Sequence, residues 1–255
     1  IIGFVVFCAG LCIGSFLNVC ISRVPLGQSV AHPGSKCPQC ETPIRFYDNI
    51  PVISYLVLGA KCRTCRKPIS LRYPAIELLT GAVAGAIVLK YGITLSALIY
   101  FIFAAALIVV TFIDLDHRII PDRISLTGIA AGLGAAFFLP RIAWTDSLIG
   151  IAAGGGILFA VAMGYYLLTG KEGMGGGDIK LLAMIGAFTG WQGILFTIFV
   201  ASATGTAVGL LLMAAKGKNL KFAVPFGPFL SMGAVAYIFF GPDIIHWYLT
   251  GIRPY

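Results

Sequence analysis

Charge is what this sequence has least of. Aspartate and glutamate together number 10, lysine and arginine 18, and charged residues make up 11% of the 255 positions. Soluble domains carry about 25%. With 58% hydrophobic residues, the chain has enough apolar sequence to cross a bilayer several times, since each crossing needs about 20 residues. An ordinary soluble enzyme is thereby excluded. No His-Glu-x-x-His segment occurs, so a zinc protease with an open metal position is not expected. No Gly-x-Gly-x-x-Gly follows a strand, which excludes a standard nucleotide cradle. The three histidines, His32, His117 and His246, are scattered without ligand spacing. The basic residues lack the aromatic interleaving of a nucleic-acid groove. The net charge of +8 therefore points to membrane orientation, and no nucleic-acid partner is expected.

What is present is apolar sequence in blocks. Eight candidate spans follow from it, at 1–21, 73–90, 94–113, 124–140, 146–169, 179–189, 191–215 and 225–250. The first run lacks a basic leading region and a small-residue cleavage site, so a membrane span is expected there, not a signal peptide. The sixth is too short for a full crossing and is expected to be a partial or broken helix, of the kind tolerated where backbone lines a cavity. Small residues cluster at Gly81–Ala86, Gly128–Ala136 and Ala152–Gly156, where they allow helices to approach closely.

The basic residues test this layout. If successive loops alternate sides, one side receives 22–72, 114–123, 170–180 and 216–224. It then holds fifteen of the eighteen: Arg23, Lys36, Arg45, Lys61, Arg63, Arg66, Lys67, Arg72, Arg118, Arg123, Lys171, Lys180, Lys216, Lys218 and Lys221. Lys90, Arg141 and Arg253 fall on the other. Positive charge marks the cytosolic side, so the long loop faces the cytosol and both termini face outward. Without the short sixth span, Lys216, Lys218 and Lys221 would change sides.

The loop 22–72 is the one segment large enough to fold outside the membrane, and about 50 residues make a poor core alone. It contains Cys37-Pro-Gln-Cys40 and Cys62-Arg-Thr-Cys65. Two such pairs can close a tetrahedral site of four thiolates, with Lys36, Lys61, Arg63 and Arg66 nearby to favour thiolate. Two disulfides or four free thiols are the plainer alternatives, and a reducing cytosol disfavours the former. The expected metal is zinc in a structural role, because four cysteines leave no position for a water. Replacing these cysteines should loosen the loop while sparing chemistry elsewhere. A redox relay would need a second thiol pair, and Cys8 and Cys12 have the wrong spacing for one. Cys8, Cys12 and Cys20 fit apolar packing in the first span.

With carboxylates so scarce, their positions matter. Asp114, Asp116 and Asp122 lie in Phe112-Ile-Asp-Leu-Asp-His-Arg-Ile-Ile-Pro-Asp122, and Asp178 ends Gly173-Met-Gly-Gly-Gly-Asp178. Asp114 and Asp178 both fall at the same membrane edge, where a carboxylate is costly and suggests function. A pair could share aspartic proteolysis, one carboxylate taking a proton from water and the other polarising the scissile carbonyl. The glycines before Asp178 leave backbone that a substrate strand could approach. Plainer readings exist. Asp178 could cap the short helix, Asp122 could cap the span after Pro121, and Asp116 could be a solvated loop charge. Glu77 inside the second span needs a partner, with Arg72, a loop cation or a methyl-transfer role as the options and a structural role preferred. Asn18 suits a hydrogen bond between helices. Lys180 either serves the aspartate pair or snorkels to the interface.

The segment from Phe112-Ile-Asp114 to Ile120-Pro-Asp122, followed by Gly175-Gly-Gly177-Asp178, resembles the paired-aspartate pattern of type IV prepilin peptidases. Its Gly-x-Gly-Asp portion is shared with presenilin-like intramembrane proteases. Gly14-Ser-Phe-Leu-Asn-Val19 leading to Arg23-Val-Pro25, the two cysteine pairs, and Arg72-Tyr-Pro-Ala-Ile-Glu-Leu-Leu-Thr80 resemble the bacterial form of that family. The matches run in order over about two-thirds of the chain. The resemblance implies a bacterial inner-membrane enzyme that removes the basic leader of prepilins or pseudopilins at the cytosolic face, typically after a glycine, with Asp114 and Asp178 as the catalytic pair. It further implies methylation of the new N-terminal amine with S-adenosylmethionine as donor, and a loop serving that role or substrate binding. The expected fold is an all-α polytopic membrane protein of about eight transmembrane helices with a small zinc-binding loop domain. Its parts would be a first helix at 1–21, the four-cysteine domain at 22–72 and the membrane peptidase domain at 73–255.

Two other functions compete. An ion or solute transporter would place polar groups deep in several spans, and only Glu77 and Asn18 come close. A noncatalytic assembly factor with a zinc knuckle would have no need of both aspartates.

Overall fold

The computed structural model describes residues 2–171, 173–216 and 224–251. Among the described residues the regular elements are helices, with two isolated antiparallel bridges beside them. The long helices are α1 (Ile2–Arg23), α3 (Arg72–Tyr91), α4 (Leu95–His117), α6 (Trp144–Thr169), α7 (Gly176–Lys216) and α8 (Gly227–Gly251), and all six are long and apolar enough to cross a membrane. Two shorter helices, α2 (Ile53–Val57) and α5 (Asp122–Ala135), complete the set. The chain divides into two compact units, Ile1–Val109 and Val110–Tyr255, with α4 running from one into the other.

In the first unit α1 packs on α3 through glycines. A Cβ on Gly10 would lie 2.8 Å from Gly81 Cα, and one on Gly14 would lie 2.7 Å from Glu77 Cα. Neither helix could come so near with a larger side chain there. Asn18 reinforces the seam, its Nδ2 donating to the carbonyl of Tyr73 at 3.2 Å.

In the second unit α6 lies against α7 at the same backbone-limited distance. A Cβ on Gly186 would stand 2.1 Å from the carbonyl oxygen of Gly150. A Cβ on Gly154 would meet Leu182 O at 2.5 Å and Ile194 Cδ1 at 3.0 Å. A straight helix separates residues 182 and 194 by about 18 Å along its axis, so α7 must double back between them. It does so at Gly190, whose φ of 70° and ψ of −178° fall in a region that only glycine occupies freely. The halves are called α7a (176–189) and α7b (191–216). At 1.5 Å per residue α7a extends about 20 Å, short of the roughly 30 Å hydrocarbon core.

The eight apolar segments in the sequence are therefore six long helices, one of them folded back on itself, plus the 14-residue α5. The segment expected at 124–140 is helical only over Asp122–Ala135, and turns follow before Pro140. Helix α4 runs past the expected 113 to His117. It ends where Arg118 turns left-handed, with φ of 55°, and its N–H returns to the carbonyl of Asp114 at 2.9 Å, a common helix stop. Asp114 and Asp116 are consequently helical residues. Of the residues used for the charge pattern, Lys218, Lys221 and Arg253 lie outside the described residues.

Candidate functional sites

The second unit gathers three helix ends at one place. The last turn of α4 brings Asp114, the first turn of α7a brings Asp178, and α8 starts at Gly227. Asp114 is buried, with 6% of its surface exposed, and its Oδ2 accepts the N–H of Gly227 at 3.0 Å. A helix N-terminus carries unpaired N–H groups and partial positive charge, which suits it to hold a carboxylate. Asp178 is half-buried, and the charge of Asp114 acts on it directly. The fold thus brings together the two carboxylates, 64 positions apart, that the sequence singled out.

The glycines around them are spatially required. A Cβ on Gly227 would stand 2.6 Å from Asp114 Oδ2, and one on Gly177 would stand 3.0 Å from Ile120 Cβ. Gly227 escaped the sequence reading because its contribution is a backbone N–H. Its only signal was Phe226-Gly227-Pro228 at the head of an apolar run.

Two other charged residues that the sequence singled out have partners of their own. Lys180 Nζ donates to both oxygens of Asp122 at 2.8 Å, so Asp122 is its partner in place of the aspartate pair. Asp122 does not cap α5, whose N-cap residue is Pro121 without a side-chain hydrogen bond. Glu77 accepts the backbone N–H of Val52 at 2.8 Å and a hydrogen bond from Ser15, which gives this buried carboxylate a structural task.

In the first unit the four loop cysteines converge. All four sulfurs lie within 4.8 Å of one another, and Cys37 Sγ and Cys65 Sγ are 3.9 Å apart. Tetrahedral zinc–thiolate bonds of about 2.3 Å imply sulfur–sulfur edges of roughly 3.8 Å, so the donor set fits a metal of that size and softness. The knuckles are one structure built twice. Ser35-Lys-Cys-Pro-Gln-Cys-Glu-Thr-Pro-Ile44 and Ala60-Lys-Cys-Arg-Thr-Cys-Arg-Lys-Pro-Ile69 align without a gap. In each, the first cysteine's N–H bonds a carbonyl five residues on, Thr42 at 3.0 Å and Lys67 at 2.9 Å. In each, the residue after the second cysteine is left-handed, Glu41 at φ 56° and Arg66 at φ 58°. The duplicated Lys-Cys-x-x-Cys-x-x-Pro-Ile was visible in the sequence and is a stronger sign than the two cysteine pairs alone.

Hydrogen bonds tune the thiols. The Thr42 side chain, then its backbone, pulls Cys40 down to about 6. Backbone hydrogen bonds from Cys65 and Thr64 lower Cys62. Cys65 receives a lowering hydrogen bond from the Lys67 backbone, outweighed by desolvation and its three neighbouring sulfurs, and stands at about 11. A bound dication favours thiolate at all four. The second knuckle is clamped by Arg63, which grips Asp48 with Nε at 2.8 Å and a terminal nitrogen at 2.5 Å. Arg63 holds the Asp48 carboxyl below the usual carboxylate range, and the Tyr47 ring lies 5.6 Å from its guanidinium.

Comparison with known proteins covers both units. Residues 8–91 match the bacterial peptidase A24 N-terminal domain, and residues 101–210 match the type IV leader peptidase family. A protein of Aeromonas hydrophila named prepilin leader peptidase/N-methyltransferase is 35% identical over 269 aligned positions, covering 96% of this chain and 93% of its own. One of Pseudomonas aeruginosa with the same name is 35% identical, covering 94% and 91%. One of Myxococcus xanthus, also so named, is 42% identical over 214 positions, or 83% of this chain, which spans 63% of that relative's length. No solved structure gives a significant match.

Proposed function

The chain belongs to the type IV leader peptidase family, and from that premise we propose that it cleaves the leader of prepilin-like substrates and methylates the N-terminal amine so released. The observation that carries the reading is the meeting of Asp114 and Asp178, in a chain whose relatives are named for both activities. Asp114 and Asp178 are the catalytic pair. A water between them loses a proton to one carboxylate as its oxygen attacks the scissile carbonyl. The other carboxyl, protonated beforehand, donates to the carbonyl oxygen. Collapse of the tetrahedral adduct breaks the C–N bond, and the amine takes a proton from the pair. Two close carboxylates favour the singly protonated state this sequence requires. The N–H of Gly227 fixes Asp114 and keeps its Oδ2 occupied, leaving Oδ1 to exchange the proton.

Cys37, Cys40, Cys62 and Cys65 hold a structural zinc ion, supported by the duplicated knuckle and the sulfur spacing. S-adenosylmethionine is the methyl donor. The site faces the cytosol of a bacterial inner membrane, supported by the charge asymmetry of the loops and by the fold-back of α7, which preserves the alternation of sides. In this division 1–21 is the anchoring helix, 22–72 the zinc domain and 73–255 the membrane peptidase.

The test is mass spectrometry of a prepilin-like substrate incubated with purified protein and S-adenosylmethionine. The expected result is one cut behind the basic leader and a mature product one methyl heavier. An intact substrate would overturn the peptidase reading, and an unmethylated product would overturn the second activity.

Gly227 offers a sharper check of the geometry. Gly227→Ala is expected to lower the cleavage rate about 10²-fold, because its Cβ displaces a carboxylate whose placement matters at the 1 Å level. Helix content by circular dichroism should be unchanged. Full activity would mean that Asp114 does not need its backbone partner.

A further inference from the structure

In the first unit the short helix α2, within the four-cysteine loop, turns an apolar face outward. Ile53, Leu56 and Val57 stand three and four positions apart and so share that face. They are 58%, 69% and 76% exposed. Ser54 lies off the face and is buried. Its Oγ donates to the carbonyl of Tyr47 at 2.9 Å and accepts the N–H of Ile50 at 3.1 Å. The helix is thus pinned to its own loop by a hydroxyl, and its three largest apolar contacts are left to whatever lies outside. Exposed apolar clusters of this kind mark surfaces that meet a protein or a membrane.

The depth of α2 follows from Val52, the residue before it. Val52 N–H donates to Glu77 Oε2 at 2.8 Å. Glu77 lies five positions into α3, about 7.5 Å along its axis. It also accepts a hydrogen bond from Ser15, eight positions before the end of α1 and so about 12 Å from that end. Helix α3 has 20 residues, about 30 Å, which is what the hydrocarbon core requires. Little of it can stand clear of the bilayer. The chain entering α2 is therefore tied to both spans at the level of the membrane edge and does not project away from it. Val52 reaches Glu77 at φ 61°, a costly conformation for a β-branched residue, so the depth of this junction is held against backbone strain.

The loop around the face is basic. Residues 22–72 contain eight arginines and lysines against Glu41 and Asp48. Both acids are already bound, Glu41 by Lys36 at 3.1 Å and Asp48 by Arg63 at 2.8 Å. Exposed Arg45 and Lys61 flank α2 in the chain. An apolar face amid surplus positive charge, at the level of the membrane edge, complements anionic headgroups lying over acyl chains. A soluble partner would have no reason to meet it at that depth.

We infer that α2 is an interfacial anchor for the four-cysteine loop, with Ile53, Leu56 and Val57 inserted at the boundary between headgroups and acyl chains and the surrounding basic residues bound to the phosphates of anionic lipids. Such insertion reaches about 5–10 Å. Three side chains suffice because α1 and α3 already deliver the helix to the surface. The anchor fixes the loop against the membrane plane, where it would otherwise swing on its two ends. The assignment needs only that α1 and α3 cross the bilayer, and it is independent of the peptidase and methyltransferase readings.

The test places the photocrosslinker p-benzoylphenylalanine at Leu56, and separately at Val57, in the full chain reconstituted in lipid nanodiscs. Both positions are exposed, so the loop should fold around either, which an unchanged metal content would verify. In discs of mixed phosphatidylglycerol and phosphatidylcholine, mass spectrometry after illumination should find acyl chains attached to the peptide that carries the probe. In discs of phosphatidylcholine alone, and in mixed discs at high salt, the yield should fall about threefold or more. No lipid adduct at either position, or adducts only to peptides of this chain or of a second copy, would overturn the anchor. Equal yields with and without phosphatidylglycerol would overturn the assignment of anionic headgroups.

Discussion

Asp114→Asn and Asp178→Asn are each expected to reduce leader cleavage by about 10³-fold or more, at unchanged membrane insertion. General acid–base groups contribute about 10²–10⁴-fold, and here the same pair is used twice, to activate water and to protonate the leaving amine. Asparagine is nearly isosteric with aspartate. At position 114 its carbonyl oxygen can still accept the Gly227 N–H, now 3.0 Å from Asp114 Oδ2, so the helix ends should remain assembled. What is lost is the capacity to take up and return a proton. The two losses should not add, because residues acting as one unit are jointly disabled by either change. The double variant should therefore be no slower than the worse single one. The measurement is single-turnover cleavage beside a thermal melt of each variant. A variant within tenfold of the unmutated rate would remove that aspartate from the mechanism. Wild-type melting with abolished cleavage is the signature expected.

Much of this site was legible because its chemistry sits in side chains the bilayer makes expensive. Asp114 and Asp178 stand at the ends of apolar runs, and a carboxylate there signals function without any three-dimensional information. The short sixth segment was legible for a similar reason, since 179–189 is too brief to cross and is bounded by Gly190. That α7 reverses at Gly190 could not be read, because apolar residues continue on both sides and a lone glycine also occurs in straight membrane helices. The extension of α4 through Asp114 was hidden because polarity was taken to end the helix, whereas the left-handed turn at Arg118 ends it. Gly227 was hidden because backbone donors leave no mark in a sequence. The partners of Glu77 and Lys180 were hidden for another reason. Each depends on which of several polar groups a long-range packing delivers, and here those were Val52 N–H and Asp122.

Cys37→Ser or Cys65→Ser is expected to empty the zinc site and unfold the loop while leaving the helices in place. Between positions 22 and 71 only Cys37 and Ser54 are buried, so the loop has almost no apolar core to fall back on. A segment of this size without a core depends on a staple, and structural zinc binding in small domains contributes about 10–16 kcal/mol of apparent free energy. A serine hydroxyl cannot replace a thiolate at neutral pH, and three sulfurs hold the ion far more weakly than four. Zinc measured by atomic emission should fall from about one ion per chain to background. Limited proteolysis should cut within 28–50, where the Arg63–Asp48 clamp no longer has a folded knuckle to anchor it. Acid should mimic the substitution in the unmutated protein. Binding requires thiolates, so protons compete with the metal, and affinity falls as pH falls. The catalytic consequence should be split. Asp114, Asp178 and Gly227 are held by helices of the second unit, so cleavage should fall by less than about tenfold, well short of the Asp→Asn losses. Methylation should fall much further, because the resemblance assigns it to the loop that unfolds. Equal loss of both activities would place the zinc domain in the peptidase reaction as well, and loss of neither would mean that the four cysteines hold no ion the enzyme needs.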